Sequence, residues 1–288
     1  MRYSESKNNG RKIEYRVFDS MDEIVNYISI VNQSRVEDHD CIERENFTGR
    51  RFSDWAEVYK ATREAWPEGI EVLERMLTDF GGTELPKPIS RKRKMRFAED
   101  DGDELDYDRL RSGQAFWRFT RRANTKGPAT ITVMVDVAAN CNVNHQDILW
   151  RGAAAVALTK ILEEAGYRVE LWLIDKTEEV WSKNNRGWNI DSMYAVCLKR
   201  PSDVLDTSTL ISAVSGWCFR TVFFRSLCAG SHHVRGNLGH SRAPNDVDLD
   251  EVSRDSKRIL IAGVWNYEDA VDLIKTTINS ITTNNKKE

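Results

Sequence analysis

Residues 130–174 read TITVMVDVAANCNVNHQDILWRGAAAVALTKILEEAGYRVELWLI. The first eight are a near-continuous apolar run rich in β-branched side chains, the pattern of a strand buried on both faces. Asp147 then opens a long helix, Ile148 to Ala165, and Gly166 stops it. Tyr167 to Ile174 is a second apolar strand. Downstream, 191–198 (DSMYAVCL) and 258–263 (RILIAG) read as further strands, and a final helix begins at Asn266 or Tyr267 and runs to about Ile281. Residues 208–227 carry apolar side chains at helical spacing, with Val222–Phe224 compatible with strand as well. Strands alternating with helices predict an α/β fold around a mostly parallel sheet with helices on both faces. Ligands of such sheets bind at the carboxyl ends of the strands. That edge gathers 136–147, Asp175 and the turn 263–266.

Upstream the pattern differs. Ile13, Tyr15 and Val17 alternate as in a half-buried strand, after a polar, frayed 1–10. Ser20 and Glu23 form a capping-box signature ahead of a helix, and two more helices follow, one ending near Ala65 before Pro67 and one over about 69–80. This predicts a mainly helical N-terminal region, 1–85. Between 91 and 96 stand five bases in six positions, followed by seven acids in the ten positions 99–108. Opposed charge blocks mark a solvated connector, 86–128, with a short helix capped by Asp106 and running through Phe116, Trp117 and Phe119. The α/β domain then spans 129–281, and 282–288 is a polar tail.

The 288 residues are 40% hydrophobic and 30% charged, enough apolar content for a core. With 42 basic and 45 acidic residues the net charge is −3, which excludes a globally basic polyanion binder but not a local patch. No run approaches the ~20 apolar residues of a membrane span, and the N-terminus has no apolar signal segment. Five scattered cysteines, three in apolar surroundings (Cys197, Cys218 and Cys228), fit a reducing compartment. The expectation is a cytoplasmic protein without membrane contact.

The strand ending in Asp136, the long helix and the next two strands resemble the von Willebrand factor A-type fold. In that family an Asp-x-Ser-x-Ser motif at this strand end holds a divalent cation, since carboxylate and hydroxyl oxygens suit a hard ion. Here Asp136 matches, while Ala138 and Asn140 replace the serines. The resemblance therefore implies a degenerate metal site on Asp136 and Asn140. The plainer alternative has Asp136 capping the helix or bonding the turn. A second resemblance covers most of the chain. Trp66-Pro67-Glu68-Gly69 and Arg151-Gly152-Ala153-Ala154 are similar to motifs of an uncharacterised family encoded by phages and prophages, which has no established activity. It implies a bacterial host cell, with virion association open.

Several side chains could bind a partner. His232, His233, Arg235, His240 and Arg242 lie in the glycine-rich segment 229–244, which is expected to be mobile and to order on an anionic ligand. Arg91, Lys92, Arg93 and Lys94, with Arg118 beside Phe116, Trp117 and Phe119, offer charge and stacking for single-stranded nucleic acid. Cys228 with the three histidines has zinc-binding atoms, and Cys141 with His145 forms a lone CxxxH, both without a knuckle motif. His145 also stands among the polar residues after Asp136. No GxxxxGK[ST], GxGxxG or GxSxG occurs. The sequence thus favours a non-catalytic interaction or adaptor protein with a protein partner. The alternatives are a nucleic-acid-binding protein and a metal-dependent hydrolase.

Overall fold

The computed structural model describes residues 1–8, 11–30, 40–80, 85, 96–100, 102, 104–119, 130–140, 142–180, 189–230, 240–253 and 257–285. The strands are β1 (Arg2–Asn8), β2 (Arg11–Phe18), β3 (Arg96–Ala98), β4 (Glu104–Leu105), β5 (Trp117–Phe119), β6 (Thr130–Asp136), β7 (Arg168–Val180), β8 (Asn189–Lys199), β9 (His240–Ser241) and β10 (Arg258–Ile261). The helices are α1 (Met21–Ile30), α2 (Glu45–Thr48), α3 (Trp55–Ala61), α4 (Pro67–Thr78), α5 (Tyr107–Arg111), α6 (His145–Glu164), α7 (Thr207–Ala213), α8 (Gly216–Cys218), α9 (Phe224–Gly230), α10 (Asp246–Val252) and α11 (Tyr267–Asn285). A π-helical turn, Phe219–Phe223, joins α8 to α9, so the segment that also suited a strand is helical.

The fold is α/β. Its mostly parallel sheet has the order β1-β2-β8-β7-β6-β10, with β9 added to β7. β6 is parallel to β7 and β10, and β2 is parallel to β8. The antiparallel joints are the long β7–β8 pairing, the β1–β2 hairpin and the short β9. The N-terminal region expected to be mainly helical thus supplies two strands of this sheet. Residues expected to fray form the edge strand β1, whose RYSESKN sequence has no apolar face and which is ordered by its antiparallel ladder to β2. Residues 1–86 and 130–288 form one compact unit, and 87–129 a second.

The second unit corrects the expected short helix. Asp106 does cap α5, accepting from the Arg109 N–H, but α5 ends at Arg111 and Gly113 follows at φ +64°. Trp117–Phe119 is instead the central strand of a three-stranded sheet, β3-β5-β4. Arg109 stacks 3.8 Å from the centre of the Phe97 ring, and Arg118 bonds Glu104 across the β4–β5 pair. Opposite charges a few residues apart here serve cross-strand pairing as well as solvation. At the C-terminus α11 runs on to Asn285, into the expected polar tail.

Side-chain alternation divides the core of the larger unit. On one face Ile13, Tyr15, Val17, Met134, Trp172, Ile174, Met193, Ala195 and Cys197 pack with Leu249 and Val252 of α10. Within that face Lys176 Nζ meets Asp248 Oδ2 at 2.6 Å, and the Tyr15 hydroxyl donates to Asp248 Oδ1 at 2.9 Å. Register puts Tyr15, Met193 and Lys176 in one row, so one buried carboxylate fastens α10 to β2 and β7, the strands on either side of β8. Val133, Val135, Leu171, Leu173 and Val196 point the other way, toward α6, and all are buried, as are Val156 and Ile261.

Helix α6 starts two residues before the expected Asp147, because Asn144 caps it and Asp147 bonds back to the Asn144 N–H. It is buried nearly all round, between the sheet and α4, α7, α8 and α11. The closest approach at its small residues is to a helix junction rather than to the sheet. A Cβ on Gly152 would stand 2.4 Å from the Val214 carbonyl oxygen and 2.6 Å from Val214 Cγ2. In an exposed helix Gly→Ala would stabilise by about 1 kcal/mol. Here overpacking should win, and Gly152→Ala should cost roughly 1–3 kcal/mol. Urea denaturation checks this: a lowered midpoint is expected, and a raised one would contradict the close approach.

Candidate functional site

The parallel strands β6, β7 and β10 bring three expected segments to one edge. Asp136 closes β6, and Asp175 follows Ile174, the residue that pairs with Asp136 across β6–β7. The turn after β10 carries Trp265. The first and third of these segments are linked by Arg151, nearly two turns into α6. Its Nη1 donates to the carbonyl oxygen of Asp136 and, at 3.2 Å, to that of Ala138. Its guanidinium carbon lies 4.3 Å from the centre of the Trp265 ring. Helix α6 thereby holds the end of β6 from below while the indole covers the guanidinium from the side.

Electrostatically the site is unusual. Asp136 is 7% exposed, and Asp175 and Arg151 are 0% and 1% exposed. Asp136 Oδ1 accepts from the Ala138 N–H at 3.1 Å, so the turn-bonding alternative describes this contact. Burial pushes the Asp136 carboxyl up to about 6, against the pull of Arg151 and the Ala138 N–H. Burial, then the charge of Asp136, pushes Asp175 up to about 8. At neutral pH one carboxyl of the pair is chiefly ionised and the other chiefly protonated. Neither Asp175 oxygen, nor Arg151 Nε or Nη2, has a hydrogen-bond partner among the described residues. Buried groups left so cost free energy that a purely structural core would avoid.

The donor set does not fit a hard cation, which needs several converging oxygens. The Asp136 and Ala138 carbonyls face a guanidinium, Ala138 contributes a methyl group, and the Asn140 Oδ1 accepts from the Ser241 hydroxyl at 3.4 Å. Among the described residues no three of His, Cys, Asp and Glu converge on one point. The positive charge at this strand end belongs to Arg151.

The other expected binding residues scatter. His145 is the first residue of α6, packed so closely on Gly49 that a Cβ there would lie 2.4 Å from its Nδ1. Burial, then nearby Arg220, lowers its pKa. His240 belongs to β9, paired opposite Glu178, and the Arg242 N–H donates to the Lys176 carbonyl at 2.9 Å, so the far end of the 229–244 segment is fixed to the sheet. His232, His233, Arg235 and the Arg91, Lys92, Arg93 and Lys94 run lie outside the described residues, as does Cys141. Cys197, Cys218 and Cys228 are all buried. Sequence reading missed the roles of Arg151 and Trp265. The available signal was a charged residue, Arg151, set between Trp150 and the small-residue run 152–155 in the middle of a helix.

The raised pKa of Asp175 fixes a sign for stability. Below its ordinary value of 3.8 the carboxyl is protonated in both folded and unfolded chains. As pH rises toward about 8 only the unfolded chain ionises, so stability is lost across that window. Asp175→Asn mimics the protonated acid. It should match the native chain near pH 4 and exceed it progressively toward pH 8, with the pH slope of the denaturation midpoint reduced. Parallel curves for the two proteins would place Asp175 in water.

Among the described residues no helix is long and apolar enough to cross a membrane. Comparisons with curated proteins and with solved structures found no match. One family model does match, over residues 5–283, and on that extent the chain belongs to the family described as a domain of unknown function, DUF7192.

Proposed function

We propose that this chain is a non-catalytic binding module, an adaptor of phage or mobile-element origin that docks a partner protein on the carboxyl edge of a von Willebrand A-like sheet. The observation that carries the reading is the set of uncompensated polar groups on Asp175 and Arg151 beside the half-exposed Trp265. Buried polar atoms kept without hydrogen-bond partners call for a role beyond packing. The succession of β6 with its terminal Asp136, then α6, β7 and β8, all in one sheet, supports the von Willebrand A-like part. The mobile-element part rests on the Trp66-Pro67-Glu68-Gly69 and Arg151-Gly152-Ala153-Ala154 resemblance. The first of these motifs builds the N-terminus of α4, and the second places Arg151.

The reading is tested by cross-linking mass spectrometry with the full chain as bait in host cells. Trp265→Ala should lose the cross-linked partner. Val204→Ala, 91% exposed on the surface between β8 and α7, should keep it. Capture that survives Trp265→Ala would move the docking face elsewhere. Turnover of an ester, nucleotide or nucleic acid that disappears in Asp136→Ala would make the protein an enzyme. Tight, steeply salt-dependent binding of single-stranded DNA would favour the nucleic-acid reading instead.

A further inference from the structure

The Arg151 guanidinium is only partly used. Nη1 carries both carbonyl bonds, leaving Nε and Nη2, which share the opposite edge of the planar group. That edge is the one that grips a planar oxyanion through two parallel N–H···O bonds. Its two donors are buried and have no acceptor among the described residues, although charged donors are the costliest to leave unmade. Nη1 fixes the orientation of the fork through backbone atoms, so the fork is preorganised before any ligand arrives.

We infer that this edge receives a single carboxylate, supplied by an acidic side chain or chain terminus of a protein partner. The inference rests on the adaptor reading for the partner's nature and on the geometry of Arg151 for its chemistry. A phosphate group fits the same fork but carries more charge. The attraction of the one cation, Arg151, grows in proportion to the ligand's charge, whereas the cost of burying that charge grows with its square, so a monoanion is favoured over a dianion. Asp175, held protonated, adds no opposing charge. The way in lies beside Trp265. Its indole rests on the guanidinium yet is 40% exposed, and it follows Gly263, which has φ +69° and open space around it. The partner's carboxylate enters alongside the indole, which contributes its exposed part to the docking face, and takes the fork.

The direct test is solution NMR of the native full chain labelled with ¹⁵N-arginine, following the Arg151 Nε–H resonance. The probes are the peptides Ac-Gly-Glu-Gly-NH₂ and Ac-Gly-Gly-Gly with a free C-terminus, and inorganic phosphate. A saturable downfield shift with either peptide is expected, and the responding peptide tells a side-chain carboxylate from a terminal one. Calorimetry should show that peptide binding weakens at least about tenfold in Arg151→Lys, which keeps the charge and loses the fork. A shift with phosphate alone, or no shift with any probe, overturns the inference. Partner capture that survives Arg151→Lys but fails in Trp265→Ala would leave the adaptor reading standing and sink the carboxylate. Peptide-dependent shifts with capture unaffected by either substitution would do the reverse.

Discussion

The bond from Arg151 to the end of β6 is the interaction on which the rest of the molecule turns. A central strand buried on both faces must end somewhere, and its last carbonyls lose their ladder partners in an apolar setting. One guanidinium nitrogen satisfies two of them, the carbonyls of Asp136 and Ala138. That contact fastens the longest helix to β6, the strand between β7 and the edge strand β10, and fixes where the chain leaves it. It also places a fixed cation beside Asp136, which keeps a carboxyl tolerable in a position that is almost wholly buried. Asp175, farther from that compensation, is held as the neutral acid.

The packing around this bond is unforgiving because α6 has no exposed face of any width. Its residues from Arg151 to Thr159 are all buried, and small side chains are what allow four helices and a sheet to surround it. On the opposite face the problem is solved by charge. Asp248 accepts from Tyr15, Lys176 and the Asn245 N–H, so a short helix with only two buried apolar side chains is held by a saturated polar contact. The two faces differ in this respect: the Asp248 cluster is saturated and structural, whereas the Asp136–Arg151–Asp175 edge retains free donors and acceptors.

The buried strands were legible because their signal is local. TITVMVDV and YRVELWLI are dense in apolar and β-branched side chains, and each became a strand within the expected sheet. The carboxyl edge was legible too, since it follows from strand direction once the alternation of strands and helices is recognised. Strand β1 was not, because RYSESKN has no buried face and is ordered only by its ladder to β2. Trp117–Phe119 read as helix for a similar reason: three residues carry no period, and pairing with two neighbours decides their state. The roles of Arg151 and Trp265 depend on residues more than a hundred positions apart meeting in space. Nothing in the spacing of either residue announces that meeting. Asp136 and Asn140 both follow this strand end, where the Asp136 carbonyl accepts from Arg151 and the Asn140 side chain from Ser241.

The strand-end carboxyls are buried beside a fixed cation, and carbon-detected NMR of the aspartate side-chain carboxyls measures this directly. Asp175 should titrate near pH 8 and Asp136 near pH 6, with Asp136 moving upward when Arg151 is replaced by Met. Titration of both carboxyls near the ordinary aspartate value of 3.8, unmoved by Arg151→Met, would contradict it.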